Sequence, residues 1–99
     1  MATVNIVFAK IGFRGIDGTY ASYLAAGIVS EDITSSATSQ ATTAAATEGQ
    51  MARITVTGGN VRVLASAAPT ALVTSTLVLA GTSFDLGVEA GDKIAVIDG

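Results

Sequence analysis

Polar and apolar residues alternate along Arg53-Ile54-Thr55-Val56-Thr57 and again along Asn60-Val61-Arg62-Val63-Leu64. This is the period of two expected of strands with one buried face. Gly58-Gly59 separates the runs. A two-residue hairpin turn there places Val56 opposite Val61 and Ile54 opposite Val63. Thr55 and Arg62 share the other face, so both strands agree on the buried side. The same construction at Gly81-Thr82 pairs Leu79 with Phe84 and Leu77 with Leu86, turning Val78 and Asp85 outward. Glycine in the first turn position suits a type II′ hairpin. Glu89-Ala90-Gly91-Asp92 reads as the next turn. It leads into Lys93-Ile94-Ala95-Val96-Ile97, apolar on both faces and therefore a central or doubly covered strand. Residues 66–70 contain Pro69 and form a loop, because proline cannot donate to a central ladder.

The N-terminal half is less regular. Val4-Asn5-Ile6-Val7-Phe8 and residues 31–36 are the next strand candidates. Residues 37–47 are low in complexity and rich in Ala, Thr and Ser. Branched and hydroxyl side chains weaken the helical preference of alanine, so an extended strand or connector is favoured over a helix. Gly12, Gly15, Gly18 and Gly27 mark residues 9–29 as loops or an arm with short strand pieces. Residues 20–26 could form one short helix ended by Gly27. The pattern predicts an all-β fold: an antiparallel β-sandwich or jelly-roll-like barrel of about six to eight short strands. A loosely structured N-terminal arm or loop region with a possible first strand, 1–29, precedes a sandwich domain, 30–99.

Charge sharpens this picture. Only 13% of the 99 residues are charged, while 49% are hydrophobic; soluble domains usually carry about 25% charged residues. Residues 63–84 and 33–47 contain no charge at all. So bare a surface points to a part of a larger assembly, with the polar segment 33–47 the expected seat of the partner. The net charge of −3, with five scattered basic residues, argues against nucleic acid. MATVNIVFAK lacks the basic and long apolar regions of a secretory leader. Pro69, Gly81 and many hydroxyls interrupt the uncharged 63–84 stretch, which argues against a membrane span.

The absence of His and Cys removes the usual nucleophile–base pairs and transition-metal sites. Glu31 and Asp32 are adjacent, so on a strand they point to opposite faces. Asp85, Glu89 and Asp92 cluster around turns, where Asp is an ordinary structural residue. No calcium-loop spacing joins them. We therefore expect no enzyme, no cofactor and no metal. Residues 12–18 carry a glycine every third position around Arg14, but no phosphate-loop motif; a loop offering Arg14 to a partner carboxylate is the reading. Thr34, Thr38 and Thr42 form a local polar run, and Tyr20 and Tyr23 are the two tyrosines. With Arg14 they make up the candidate partner interface.

From about residue 51 to 98 the wording resembles small β-sandwich proteins encoded among the head genes of tailed bacteriophages. The residues that carry the likeness are Ala68-Pro69-Thr70-Ala71, Leu79-Ala80-Gly81 and Gly91-Asp92-Lys93-Ile94-Ala95-Val96-Ile97. The resemblance covers about half the chain. It implies a capsid decoration or cement protein, made in the host cytoplasm and seated on the capsid exterior. Its partners would be further copies of itself, as trimers or hexamers, and the major capsid protein. It implies no catalytic residue. The alternatives from the same reading are a tail, fibre or adaptor component and a non-catalytic carbohydrate-binding module.

Overall fold

The computed structural model describes residues 2–13, 21–23 and 28–99. Alternation is clear in two strands distant in sequence. Ala2, Val4, Ile6 and Phe8 are buried within or beside strand β1 (Thr3–Phe13), and Ala52, Ile54 and Val56 within β5 (Gln50–Thr57). These two strands lie side by side with Val4 opposite Val56 and Ile6 opposite Ile54. Directly opposed residues share a face, so one continuous apolar surface forms. The other flank of β5 takes β8 (Ser83–Gly87), and β1 also pairs with β3 (Val29–Thr34) and, at its far end, with β2 (Ala21–Tyr23). Together they make a five-stranded antiparallel sheet.

A second antiparallel sheet has the order β4-β9-β6-β7. Its strands are β4 (Gln40–Ala41), β6 (Val61–Ser66), β7 (Thr76–Val78) and β9 (Lys93–Asp98). Val61, Val63, Val78, Ile94 and Val96 turn inward and join the residues of the first sheet in one core. Each such side chain, fully buried, contributes roughly 1.5–3 kcal/mol. No helix occurs among the described residues. The architecture is an all-β sandwich, as the alternation predicts.

The pairing within it differs from the sequence expectation. β5 and β6 do not form a hairpin; they belong to opposite sheets. β1 and β8 already occupy both flanks of β5, so β6 has no edge to join. At Gly58, whose φ is +85°, the chain crosses from one sheet to the other. Ile54, Val56, Val61 and Val63 do point to a common interior, but from facing sheets.

β7 and β8 are separated in the same way. The turn runs from Leu79 to Thr82, closed by the Thr82 amide on the Leu79 carbonyl at 3.3 Å. Gly81 is its third residue with φ +80°, the position where a type II turn needs glycine. Opposite Val61 stands Val78, so Val78 faces inward. Leu77 and Leu79 face outward, the reverse of the expected register. On β8 the expected faces hold: Phe84 and Leu86 pack against the core and Asp85 is exposed.

Three further expectations resolve. The Glu89–Asp92 turn forms, with the Asp92 amide on the Glu89 carbonyl at 3.0 Å and Gly91 at φ +90°. β9 is flanked by β4 and β6, with Ile94, Ala95 and Val96 all buried. Residues 40–46 run beside it with a bend at 43–44, held by the Thr42 amide on the Ile94 carbonyl and the Ala46 amide on the Asp92 carbonyl, both 2.8 Å. In place of a helix at 20–26, Ala21–Tyr23 is a strand; Tyr20 and residues 24–26 lie outside the described residues. Val4–Phe8 falls inside a strand paired on two flanks, so the sandwich includes Thr3–Lys10 and does not begin at residue 30.

Between β3 and β4 the chain changes sheets at Ser35, which is fully buried. Its amide donates to the Ala2 carbonyl at 2.8 Å, and its Oγ accepts from the Ala2 amide at 2.7 Å. The same hydroxyl donates to Asp98 Oδ1 at the end of β9. Removing the hydroxyl by Ser35→Ala leaves the buried Ala2 amide without its acceptor, at a cost of about 2 kcal/mol. Equilibrium urea denaturation should show that loss as a lower midpoint; an unchanged midpoint would remove Ser35 from the stabilising contacts.

Candidate interaction surface

The two outer faces of the sandwich differ in chemistry. On the first sheet, Arg53 stands opposite Asp85 and pairs with it, Nε to Oδ1 at 2.9 Å and Nη2 to Oδ2 at 3.2 Å. Asn5 Nδ2 donates to Ser30 Oγ at 2.9 Å and Asp32 Oδ1 at 2.8 Å. Thr55 and Ser83 hydroxyls meet at 3.2 Å. These exposed polar groups satisfy one another across strands, which suits a face in contact with water.

The second sheet's outer face has little of this. Leu64 on β6 and Leu77 on β7 point outward, followed by Leu79. The β6–β7 connection lies back over this face. The Ala71 amide donates to Ser39 Oγ at 2.8 Å, beyond β9, and Arg62 Nη1 donates to the Ser75 carbonyl at 3.0 Å. Ala71 is buried beneath it, and so is Ala95, whose side chain points opposite to those of Ile94 and Val96. A tight turn then closes the connection, with the Ser75 amide on the Leu72 carbonyl at 2.9 Å and the Leu72 amide on Ser75 Oγ at 2.9 Å. That turn leaves Leu72 and Val73 exposed by 56% and 75%, beside Leu77 at 44% and Leu79 at 52%. Residues 63–84 supply the whole cluster except its bordering Arg62, and they carry no charge.

Of the residues anticipated as a partner interface, Thr34, Thr38 and Thr42 do not form one exposed surface. Thr34 ends β3 on the outer face of the first sheet and is exposed; Thr38 is exposed in the connection beyond it. Thr42 is buried, its hydroxyl donating to the Ala44 carbonyl at 2.8 Å and accepting from the Ile94 amide at 3.2 Å. It is a structural residue that holds the edge of β9, and no partner reaches it on the folded chain. Tyr23 lies in β2 opposite Ile11. Arg14 and Tyr20 lie outside the described residues.

The Asp92 and Glu31 carboxylates are engaged in structure. Asp92 Oδ2 accepts the Glu89 amide at 2.9 Å, closing its own turn. The Glu31 carboxylate accepts the amides of Thr43, at 2.8 and 3.1 Å, and Ala44, at 3.1 Å. Among the described residues no group of three or more Asp, Glu, His or Cys side chains could hold a metal ion. No helix among them is long and apolar enough to cross a membrane. The chain matches no known protein family, no curated protein and no solved structure.

What sequence reasoning missed is the set Leu64, Leu72, Val73, Leu77 and Leu79. A signal was present. Leu77-Val78-Leu79 is apolar at three consecutive positions, so one face of that strand must show apolar side chains outward. Leu72-Val73 follows Pro69 within a connection, where no period directs either residue to a core. The observed sidedness has a measurable consequence. In dilute solution Val78→Ala should cost about 2 kcal/mol of stability, and Leu77→Ala should stay within about 0.5 kcal/mol of the parent. Chemical denaturation compares the two, and the reverse ranking would put Leu77 in the core.

Proposed function

We propose that this protein is a structural subunit of a tailed-phage virion, a decoration or cement protein that sits on the capsid exterior. It would oligomerise and bridge neighbouring capsomers through contacts with the major capsid protein. The observation that supports the reading is the uncharged apolar cluster of residues 63–84, left uncovered on a sandwich whose opposite face is polar and internally paired. An apolar patch of this kind on a small domain marks a protein contact, and charge is depleted at the centre of such contacts. Two of the segments that resemble phage head proteins border it: Ala71 anchors the connection over the second sheet and Leu79 belongs to the patch. Function in this reading is area and multiplicity. Individually weak contacts repeated over a symmetric shell yield strong overall retention.

The test is reconstitution. Purified protein added to capsids that lack it, from the phage whose genome carries the gene, should bind saturably at a stoichiometry set by the number of capsomers. It should also raise the temperature at which the shell opens. Saturation at only a few copies per particle would move the protein to the tail or its adaptor. Absence of binding to any part of the particle would remove the virion reading.

A further inference from the structure

The strand order leaves one edge of the second sheet at β7. Which backbone groups face that edge follows from the ladder. The Gly99 amide donates to the Asn60 carbonyl, so Asn60 faces β9. Alternation along the strand then directs the backbone of Val61 and Val63 toward β7. Their partners Val78 and Thr76 use their own amides and carbonyls in that ladder. The Ala80 amide, in phase with them, reaches back to Asn60 Oδ1 at 2.9 Å. Leu77 therefore presents its N–H and C=O to the outside of the sheet, where no strand of the described chain follows.

We propose that the occupant of this edge is a second copy of the same chain, paired antiparallel about a twofold axis at Leu77. Leu77 would face its symmetry mate as a hydrogen-bonded pair, joining two four-stranded sheets into one of eight. Three observations select a copy over another partner. A twofold contact sets each group against its own kind, so charge at its centre would repel; residues 63–84 carry none, and Arg62, opposite Leu77 on β6, turns its guanidinium to the Ser75 carbonyl. On one side of Leu77 the Ser75 amide and carbonyl are already spent on Leu72 and Arg62, and on the other the Leu79 carbonyl accepts from Thr82, which leaves the two-bond exchange at Leu77 as the natural register. Leu72, Val73 and Leu79 lie on either side of it and expose, with Leu77, on the order of 400 Å², within the range that marks a functional patch. Doubled by symmetry and enlarged by a polar rim, the contact reaches the roughly 1,000 Å² of a specific interface. The longer edges of the first sheet are less suited to such pairing, because β8 carries Asp85 with Arg53 beside it and β3 carries Glu31 and Asp32.

The inference rests on the reading of this chain as an oligomerising subunit and is independent of what the oligomer binds. Sedimentation velocity on the purified chain, without capsids, should show a concentration-dependent dimer or an even-numbered higher assembly. Val73→Asp, in an exposed turn, and Leu77→Asp should each weaken it at least about tenfold. Circular dichroism should be unchanged. Leu77→Pro, which removes only an outward N–H, should weaken it as well. Thr34→Asp, on the opposite face, should leave it intact. A protein that stays monomeric at every concentration would overturn the proposal. So would an oligomer that survives Val73→Asp, or one that Thr34→Asp dissociates. Capsid binding by a strict monomer would overturn this contact while keeping the virion reading; a dimer that ignores capsids would do the opposite.

Discussion

Everything in this sandwich depends on strands that change sheets without leaving a buried polar group unmatched. Ser35 is where that demand is most severe. Its backbone and hydroxyl together hold the start of β1 and the end of β9, so one residue ties the two layers together at a point from which water is excluded. On the opposite side the crossing from β7 to β8 is tied to β5 through backbone, the Gly81 amide on the Val56 carbonyl at 2.8 Å and the Val56 amide on the Thr82 carbonyl at 3.2 Å, and to Asn60 Oδ1 through the Ala80 amide at 2.9 Å. Glu31 adds a third tie, an inward-directed carboxylate on an edge strand that accepts amides from the segment beside the other sheet. Buried backbone groups must find partners, and in a two-layer fold the crossings are where partners are hardest to supply.

That constraint also separates what could be read in the chain from what could not. Alternation identified β1, β5, β6, β8 and β9 as strands and assigned correct inward sides to Ile54, Val56, Val61, Val63, Phe84 and Leu86. It could not distinguish a hairpin from a crossing. Val56 and Val61 share an interior whether their strands are neighbours in one sheet or opposite each other in two. The choice was made elsewhere, by β1 and β8 filling both flanks of β5. For β7 three consecutive apolar residues erased the period, and the inward residue was decided by register against Val61. Thr42 looked like surface because hydroxyls usually are; its burial follows from a bond to Ile94 that only the fold creates.

The uneven distribution of charge has a structural counterpart. Charged and hydroxyl residues of the first sheet pair across strands, whereas on the second sheet Arg62 turns to its own loop and Lys93 and Asp98 stand at the two ends of β9. Of the two charge-free segments, 33–47 is largely engaged with the fold through Ile33, Ser35, Thr42 and Ala46, all buried. The segment 63–84 is the one that remains open, because its connection covers β9 but stops short of β7.

The Ser35 clamp carries a further consequence, for the order in which the molecule comes into being. Its partner Asp98 lies 63 residues further along the chain. β1 emerges first yet waits for Gln50–Thr57 before its second flank is filled. Contacts this distant in sequence close late and slowly. A growing chain must therefore hold its first strand, apolar face included, without its final neighbours while most of the remainder is made. Such intermediates are exposed to pairing with other copies. The architecture that locks the finished layers together thus makes the unfinished chain dependent on low local concentration or on assistance, and places its greatest hazard before the fold exists.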